Sequence, residues 1–468
     1  MRPTILAAIA CAVTACTGTA ITASSTPSAT QPTAGAPVTS GSVHPPAVWA
    51  TFDANAARTG VAAGLPAAGA LSVRWNARLD GAVYGQPLVV GDDVIAATEN
   101  DSLYALDRST GKVVWERHLG TPVPRSALHG CGDIFPLGIT GTPVYDPGDG
   151  LVYAVADTAG YHFTLYGLSA ADGAVEVARP VSLATSDNNP AWDQQRTALT
   201  LDDGRVYAGF GGLAGDCGPY VGSVVGIPVN GKGSQVTFFT PTTREGAVWG
   251  TGGPVVGPGD DLWIAIGNGA ASSGAYDGSD SVTELTPELK RAGLFAPSTW
   301  ADDNANDRDL GSTQPALAAG NSTLILGKRG EAYLLDTTDL GGIGGQRADL
   351  EVCAAFGAAA VDGDVVYEPC RTGPLVAISV NQAKRQIRIL WDGPAGANGS
   401  PVVGGGAVWV TAYTGSAKNT LYELNPASGR VKDSIRLPSA VPDFSSLSLG
   451  GATAFVSTLD GVTAVNGA

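Results

Sequence analysis

The chain has 468 residues, 44% of them hydrophobic and only 15% charged, so it has ample material for a core and room for one long all-β unit. Its 64 Gly and 30 Pro against a single Met point to many short strands joined by turns and away from a helical architecture. With 27 Lys and Arg against 43 Asp and Glu, the formal charge of −16 is the wrong sign for a phosphate-binding surface, so nucleic acid is excluded as the expected partner.

The first fifteen residues read as an export signal: Arg2 is a thin positive region, Ile5 to Val13 is apolar, and the run is too short for a transmembrane span. Val13-Thr14-Ala15-Cys16 resembles a bacterial lipobox. That resemblance implies a lipid on Cys16 and a protein held on the outer face of the cell membrane. Ordinary cleavage after a small residue, giving a secreted protein, is the alternative. Residues 16–47, rich in Thr, Ser, Pro and Ala, read as the anchor and a disordered tether, and residues 48–468 as one folded domain. Cys11 leaves with the signal, so four cysteines remain beyond Cys16, an even number that favours two disulfides in an oxidising compartment. Cys353 and Cys370 flank one predicted hairpin and are expected to pair, leaving Cys131 for Cys217.

From there the chain repeats. Copies begin near Gln86-Pro87, Thr142-Pro143, Thr197-Ala198, Gly253-Pro254, Gln314-Pro315, Ala358-Ala359, Ser400-Pro401 and Ser446-Leu447. They lie roughly 40 to 60 residues apart, the period of a four-stranded blade. Each start is followed by a Gly/Asp turn and a β-rich strand, such as Gly363-Asp364-Val365-Val366-Tyr367 or Gly406-Ala407-Val408-Trp409. In the first copy, Leu103 to Asp107 is an alternating strand, Asp107, Thr110 and Gly111 close a turn, and Val113-Val114-Trp115 is an outer strand. The last copy stops at Val465 without an outer strand, and Val73 to Ala77, ahead of the first copy, is well placed to supply it. The prediction is an all-β, eight-bladed propeller of four-stranded antiparallel blades, closed by its N-terminal strand so that no sheet edge is left open.

The Leu103–Trp115 hairpin resembles the repeat of exported pyrroloquinoline-quinone (PQQ)-like propellers, the quinoprotein alcohol dehydrogenase-like superfamily. In the enzymes of that group PQQ lies on the ring axis between a Trp and a disulfide of adjacent cysteines, and calcium is held by acidic and Asn ligands. The resemblance implies roles here residue by residue. Asp216 in Gly215-Asp216-Cys217-Gly218, Asn268 in Gly267-Asn268-Gly269 and Asp309 would be the calcium ligands. Trp249 ahead of Gly252-Gly253-Pro254 would stack on the cofactor, and Lys328 would contact it. Asp309, or alternatively Asp307, would be the catalytic base.

Other residues depart from that pattern. Gly132 replaces the second lid cysteine in Gly130-Cys131-Gly132-Asp133, Phe135-Pro136 replaces an Asn-Arg pair, and no Cys-x-x-Cys-His marks an attached haem. Every matched residue also has a structural explanation: Asp307 and Asp309 as loop carboxylates, Asn268 as a left-handed turn, Trp249 as inter-blade core. The polar loops Glu99-Asn100-Asp101, Asp187-Asn188-Asn189 and Gln195-Arg196 either line a mouth or are solvated. The leading expectation is therefore a monomeric envelope propeller that binds a small ligand or another envelope protein, as in the outer-membrane assembly lipoprotein of this repeat class. A PQQ- and calcium-dependent dehydrogenase of an alcohol or sugar is the alternative.

Overall fold

A computed structural model describes residues 47–229 and 232–467; the export signal, Cys16 and nearly all of the tether lie outside the described residues. Eight four-stranded antiparallel sheets follow one another along the chain. Their innermost strands are Leu88–Val90, Val144–Asp146, Thr200–Asp202, Val255–Val256, Ala316–Ala318, Ala360–Asp362, Val402–Gly404 and Leu447–Gly450. Each begins within three residues of a start read from the sequence. Helix is confined, among the described residues, to Trp300–Ala305 and a few single 3₁₀ turns, and none of it is long and apolar enough to cross a membrane.

The eighth sheet lacks its own outer strand and takes Leu71–Arg78, which pairs antiparallel with Gly461–Gly467 with Val73 opposite Val465. The ring is thus closed by the two ends of the domain, as the sequence predicts.

One device recurs where blades meet. The outer-strand Trp115 of the first blade lies against the Gly173 turn of the second, its indole N–H donating to the Ala170 carbonyl at 2.9 Å. Trp391 meets the Gly429 turn of the seventh blade in the same way, donating to Pro426 at 2.8 Å. Trp75 of the closing strand meets Gly111 of the first blade and donates to Arg108 at 3.1 Å. A Cβ on Gly111 or Gly173 would stand 2.6 Å from the indole, and both glycines have φ near +70° (71° and 69°), so this turn requires glycine twice over. Asp107 builds the turn by accepting the Ser109 and Thr110 amides. The Trp in Val113-Val114-Trp115 therefore joins blades, and the one in the closing strand locks the last blade to the first.

The chain ahead of the closing strand has a role that its sequence does not signal. Residues 47–62 cross the axis and hydrogen-bond to innermost strands around the ring. The amides of Tyr145, Val256, Val361 and Val403 donate to the carbonyls of Ala50, Ala56, Thr59 and Gly60 at 2.7–2.9 Å. Arg58 is buried in this crossing and donates to the Leu199 carbonyl at 2.9 Å, to Thr200 Oγ1 at 2.6 Å and to Phe52 and Thr51. Burial lowers Arg58 to about 10 against the opposing pull of Asp53, and burial likewise raises Asp53. The segment is a plug, and Phe52 packs at the axis with Ala198 and Ala358.

Candidate functional site

The loops entering each innermost strand, together with those joining second to third strands, gather at one end of the ring. They line a funnel of about 300 Å³. Asp216, Trp249, Asn268, Asp307, Asp309 and Lys328 all border it, although they come from the third, fourth and fifth blades. Phe52 of the plug borders a separate small recess with Tyr84, Arg196 and Phe444, the last two of which also line the funnel.

Asp309 is the most constrained of these groups. Its Oδ1 accepts the Asn268 amide at 2.6 Å and its Oδ2 is in direct contact with Lys328 Nζ, which also reaches Asp307 Oδ1 at 2.6 Å. Burial raises the Asp309 carboxyl and the Lys328 ammonium opposes that rise. Burial pulls Lys328 down, but Asp309 and Asp307 outweigh it and the ammonium is raised. The two upward directions have opposite meanings: for Asp309 burial outweighs the ammonium it shares with Asp307, whereas for Lys328 the two carboxylates outweigh burial.

The other acids are committed too. Asp216, with φ of 51°, accepts the Tyr220 hydroxyl, and its backbone carbonyl accepts from Arg244. Glu245 pairs with Arg244 at 3.0 Å and accepts the Asn268 side-chain amide at 3.3 Å. Burial raises Glu245, and Arg244 counters it.

These donors do not fit a calcium ion as they stand. Both Asp309 oxygens are taken, one by an ammonium that a cation would have to displace. No trio of His, Cys, Asp or Glu among the described residues is arranged to hold a metal. The lid is also absent. Cys131 is bonded to Cys217 with Cα atoms 6.3 Å apart, and Cys353 to Cys370 at 5.7 Å, the two pairings predicted. A planar cofactor beside Trp249 would meet Phe356 and Phe444, whose ring centroids lie 6.1 and 6.3 Å away at steep angles, and Lys328 at 5.6 Å.

Several readings of the sequence are sharpened. Trp249 faces the funnel and is not inter-blade core, and Asn268 has no left-handed backbone. Of the three polar loops, only Gln195-Arg196 contributes a side chain to the mouth, Arg196. Asn188 is buried and orders its loop by donating to Asp193 at 2.7 Å and accepting the Val221 amide at 2.7 Å, while Asp187 and Asn189 are solvated. Glu99 and Asp101 are neither mouth nor solvated; they are buried.

Phe356, Phe444, Arg371 and Gln194 were missed. A signal existed: Tyr84, Phe356 and Phe444 each stand two residues before a blade start, a position that faces the axis.

A family model described as outer membrane protein assembly factor BamB matches residues 61–212. A search of curated proteins by sequence returns no match. Among solved structures, the quinohemoprotein alcohol dehydrogenase from Comamonas testosteroni superposes with a TM-score of 0.68 at 15% identity, over 89% of this chain and 80% of that one. BamB from Moraxella catarrhalis gives 0.57 at 16%, over 85% and 97%. A europium-containing methanol dehydrogenase gives 0.66 at 14%, over 90% and 98%. The ring has the PQQ-like β-propeller fold. At these identities the likeness fixes the fold alone, and it extends both to BamB and to dehydrogenases. The BamB match and the two disulfides are compatible with an exported protein.

Proposed function

We propose that this PQQ-like propeller is an exported binding module whose funnel takes a small ligand without redox turnover. The observation that carries the reading is a funnel whose catalytic-looking carboxylate, Asp309, is already satisfied by Lys328 and the Asn268 amide. A base needs a free oxygen aimed at the substrate, and a calcium site needs several. The broken lid, with Gly132 beside a Cys131 that bridges to Cys217, removes one wall of a quinone slot. We further propose that Cys16 carries a lipid that holds the ring at the outer face of the membrane; Cys16→Ala should then shift the protein from the membrane fraction to the medium or leave it unprocessed.

The second reading, a PQQ- and calcium-dependent alcohol or sugar dehydrogenase, draws support from the convergence of Asp309, Lys328 and Trp249 in one cavity with the carboxyl raised by burial. The test is purified protein offered PQQ and calcium with an alcohol panel and an electron-accepting dye. The binding-module reading expects no calcium-dependent dye reduction. Reduction that Asp309→Asn abolishes would replace it with the dehydrogenase.

A further inference from the structure

The side of the funnel formed by Phe356, Arg371, Phe444 and Arg196 has the opposite character from the Asp309 side. Phe356 and Phe444 stand parallel, 5.7 Å apart at 11°. Each carries a guanidinium over its ring: Arg371 lies 4.5 Å from the Phe356 centroid and Arg196 lies 4.9 Å from that of Phe444. Neither arginine is in an ion pair among the described residues, although the funnel is rich in carboxylates. Lys328, by contrast, is fully occupied by Asp307 and Asp309.

Other donors nearby are also left over. Arg196 Nε and the buried Gln194 Nε2 have no acceptor. Tyr413, 3% exposed and edge-on to Phe444 at 5.6 Å, has a hydroxyl without a partner, and both Arg196 and Arg371 act on it electrostatically. Buried donors without acceptors cost free energy unless something supplies the acceptors. A guanidinium stacked on an aromatic face keeps its in-plane N–H edge free, the edge that grips a carboxylate with two parallel bonds.

We infer that the funnel's ligand is an organic acid with two carboxylates, one for Arg196 and one for Arg371, its body lying along the Phe356–Phe444–Trp249 wall. This rests on the reading of the funnel as a binding site and gives it a ligand class. Carboxylates suit the site better than phosphates: each brings a single charge to one fork, whereas a phosphate dianion would meet Asp133, Asp307 and Asp216 on the same funnel.

The test is calorimetric titration of the full chain with naphthalene-2,6-dicarboxylate and with succinate, with sulfate as the inorganic dianion. Both acids should bind, more weakly as salt rises, and sulfate should not compete. Arg371→Gln, at an exposed position, and Arg196→Gln should each weaken binding roughly ten-fold or more, the loss expected for one charge-assisted contact. Melting curves would establish that each variant is folded, and Arg371→Lys should restore part of the affinity. Absence of heat with both acids, equal binding of sulfate, or undiminished binding by a folded Arg196→Gln/Arg371→Gln double variant would overturn the inference. Failure of the non-redox reading would be seen separately, as calcium-dependent dye reduction.

Discussion

Two groups of acids sit at the same end of this ring, one paired with cations and one not. Asp309 in the funnel and the half-buried Glu245 beside Asn268 lie against cations, Lys328 and Arg244. Across the first three blades, Glu99, Asp101, Asp157 and Asp193 are as deeply buried as Asp309, and among the described residues none of them is in an ion pair. Glu99 accepts one amide, from Gly138 at 2.8 Å, and both oxygens of Asp101 lack partners. Burial raises Glu99 and Asp193 to about 7 and Asp101 to about 8, and raises Asp157 as well, with neighbouring carboxyls adding to the rise at Asp101 and Asp157. Burial raises the carboxyls in both groups, but only beside the funnel does a contacting ammonium or guanidinium oppose the rise.

The largest effect should come from making the funnel resemble the other group. Lys328→Met leaves Asp309 buried without its cation and should cost about 3–5 kcal/mol near neutral pH. The loss should shrink in acid as Asp309 takes a proton, which denaturant melts at two pH values would register.

Next in size is the pH dependence of the uncompensated group. Their folded values lie above the ordinary carboxylate range, so the folded state binds protons that the unfolded chain has released. Their stabilising contribution is complete below about pH 4 and is lost as pH rises through 7 and 8. The melting temperature should fall by several degrees from pH 5.5 to pH 8.5. Asp101→Asn should flatten that slope and raise the melting temperature at the alkaline end. A slope unchanged by the substitution would place the effect elsewhere.

The smallest effect belongs to Asp307→Asn. This exposed carboxylate shares Lys328 with Asp309, and its removal should cost less than about 1 kcal/mol, read by the same melts.

The contrast between what was and was not legible in the sequence has the same physical root. The blade starts, the closing strand at Val73 to Ala77 and both disulfides were readable because strand alternation, turn glycines and cysteine parity are local signals. The plug was not: Trp49, Phe52 and Arg58 have no periodicity, and their burial depends on carbonyls such as that of Leu199, supplied from a distant blade. Glu99 and Asp101 looked like loop acids because nothing local reveals that a carboxyl will be protonated and enclosed. The convergence of Asp216, Asn268, Asp309, Lys328 and Trp249 was readable by motif order, whereas Phe356, Phe444 and Arg371 stood in loops without a motif. For Phe356 and Phe444 the signal lay in their shared position two residues before a blade start, whereas Arg371 had none.

In the proposed reading Lys328 balances Asp307 and Asp309 without a metal ion. Melting the full chain in millimolar calcium and again in excess chelator tests it most directly. The same melting temperature is expected in both, and a Lys328→Met variant should gain stability from calcium where the wild type does not. A wild-type protein stabilised by calcium, with the gain abolished by Asp216→Asn, would contradict it.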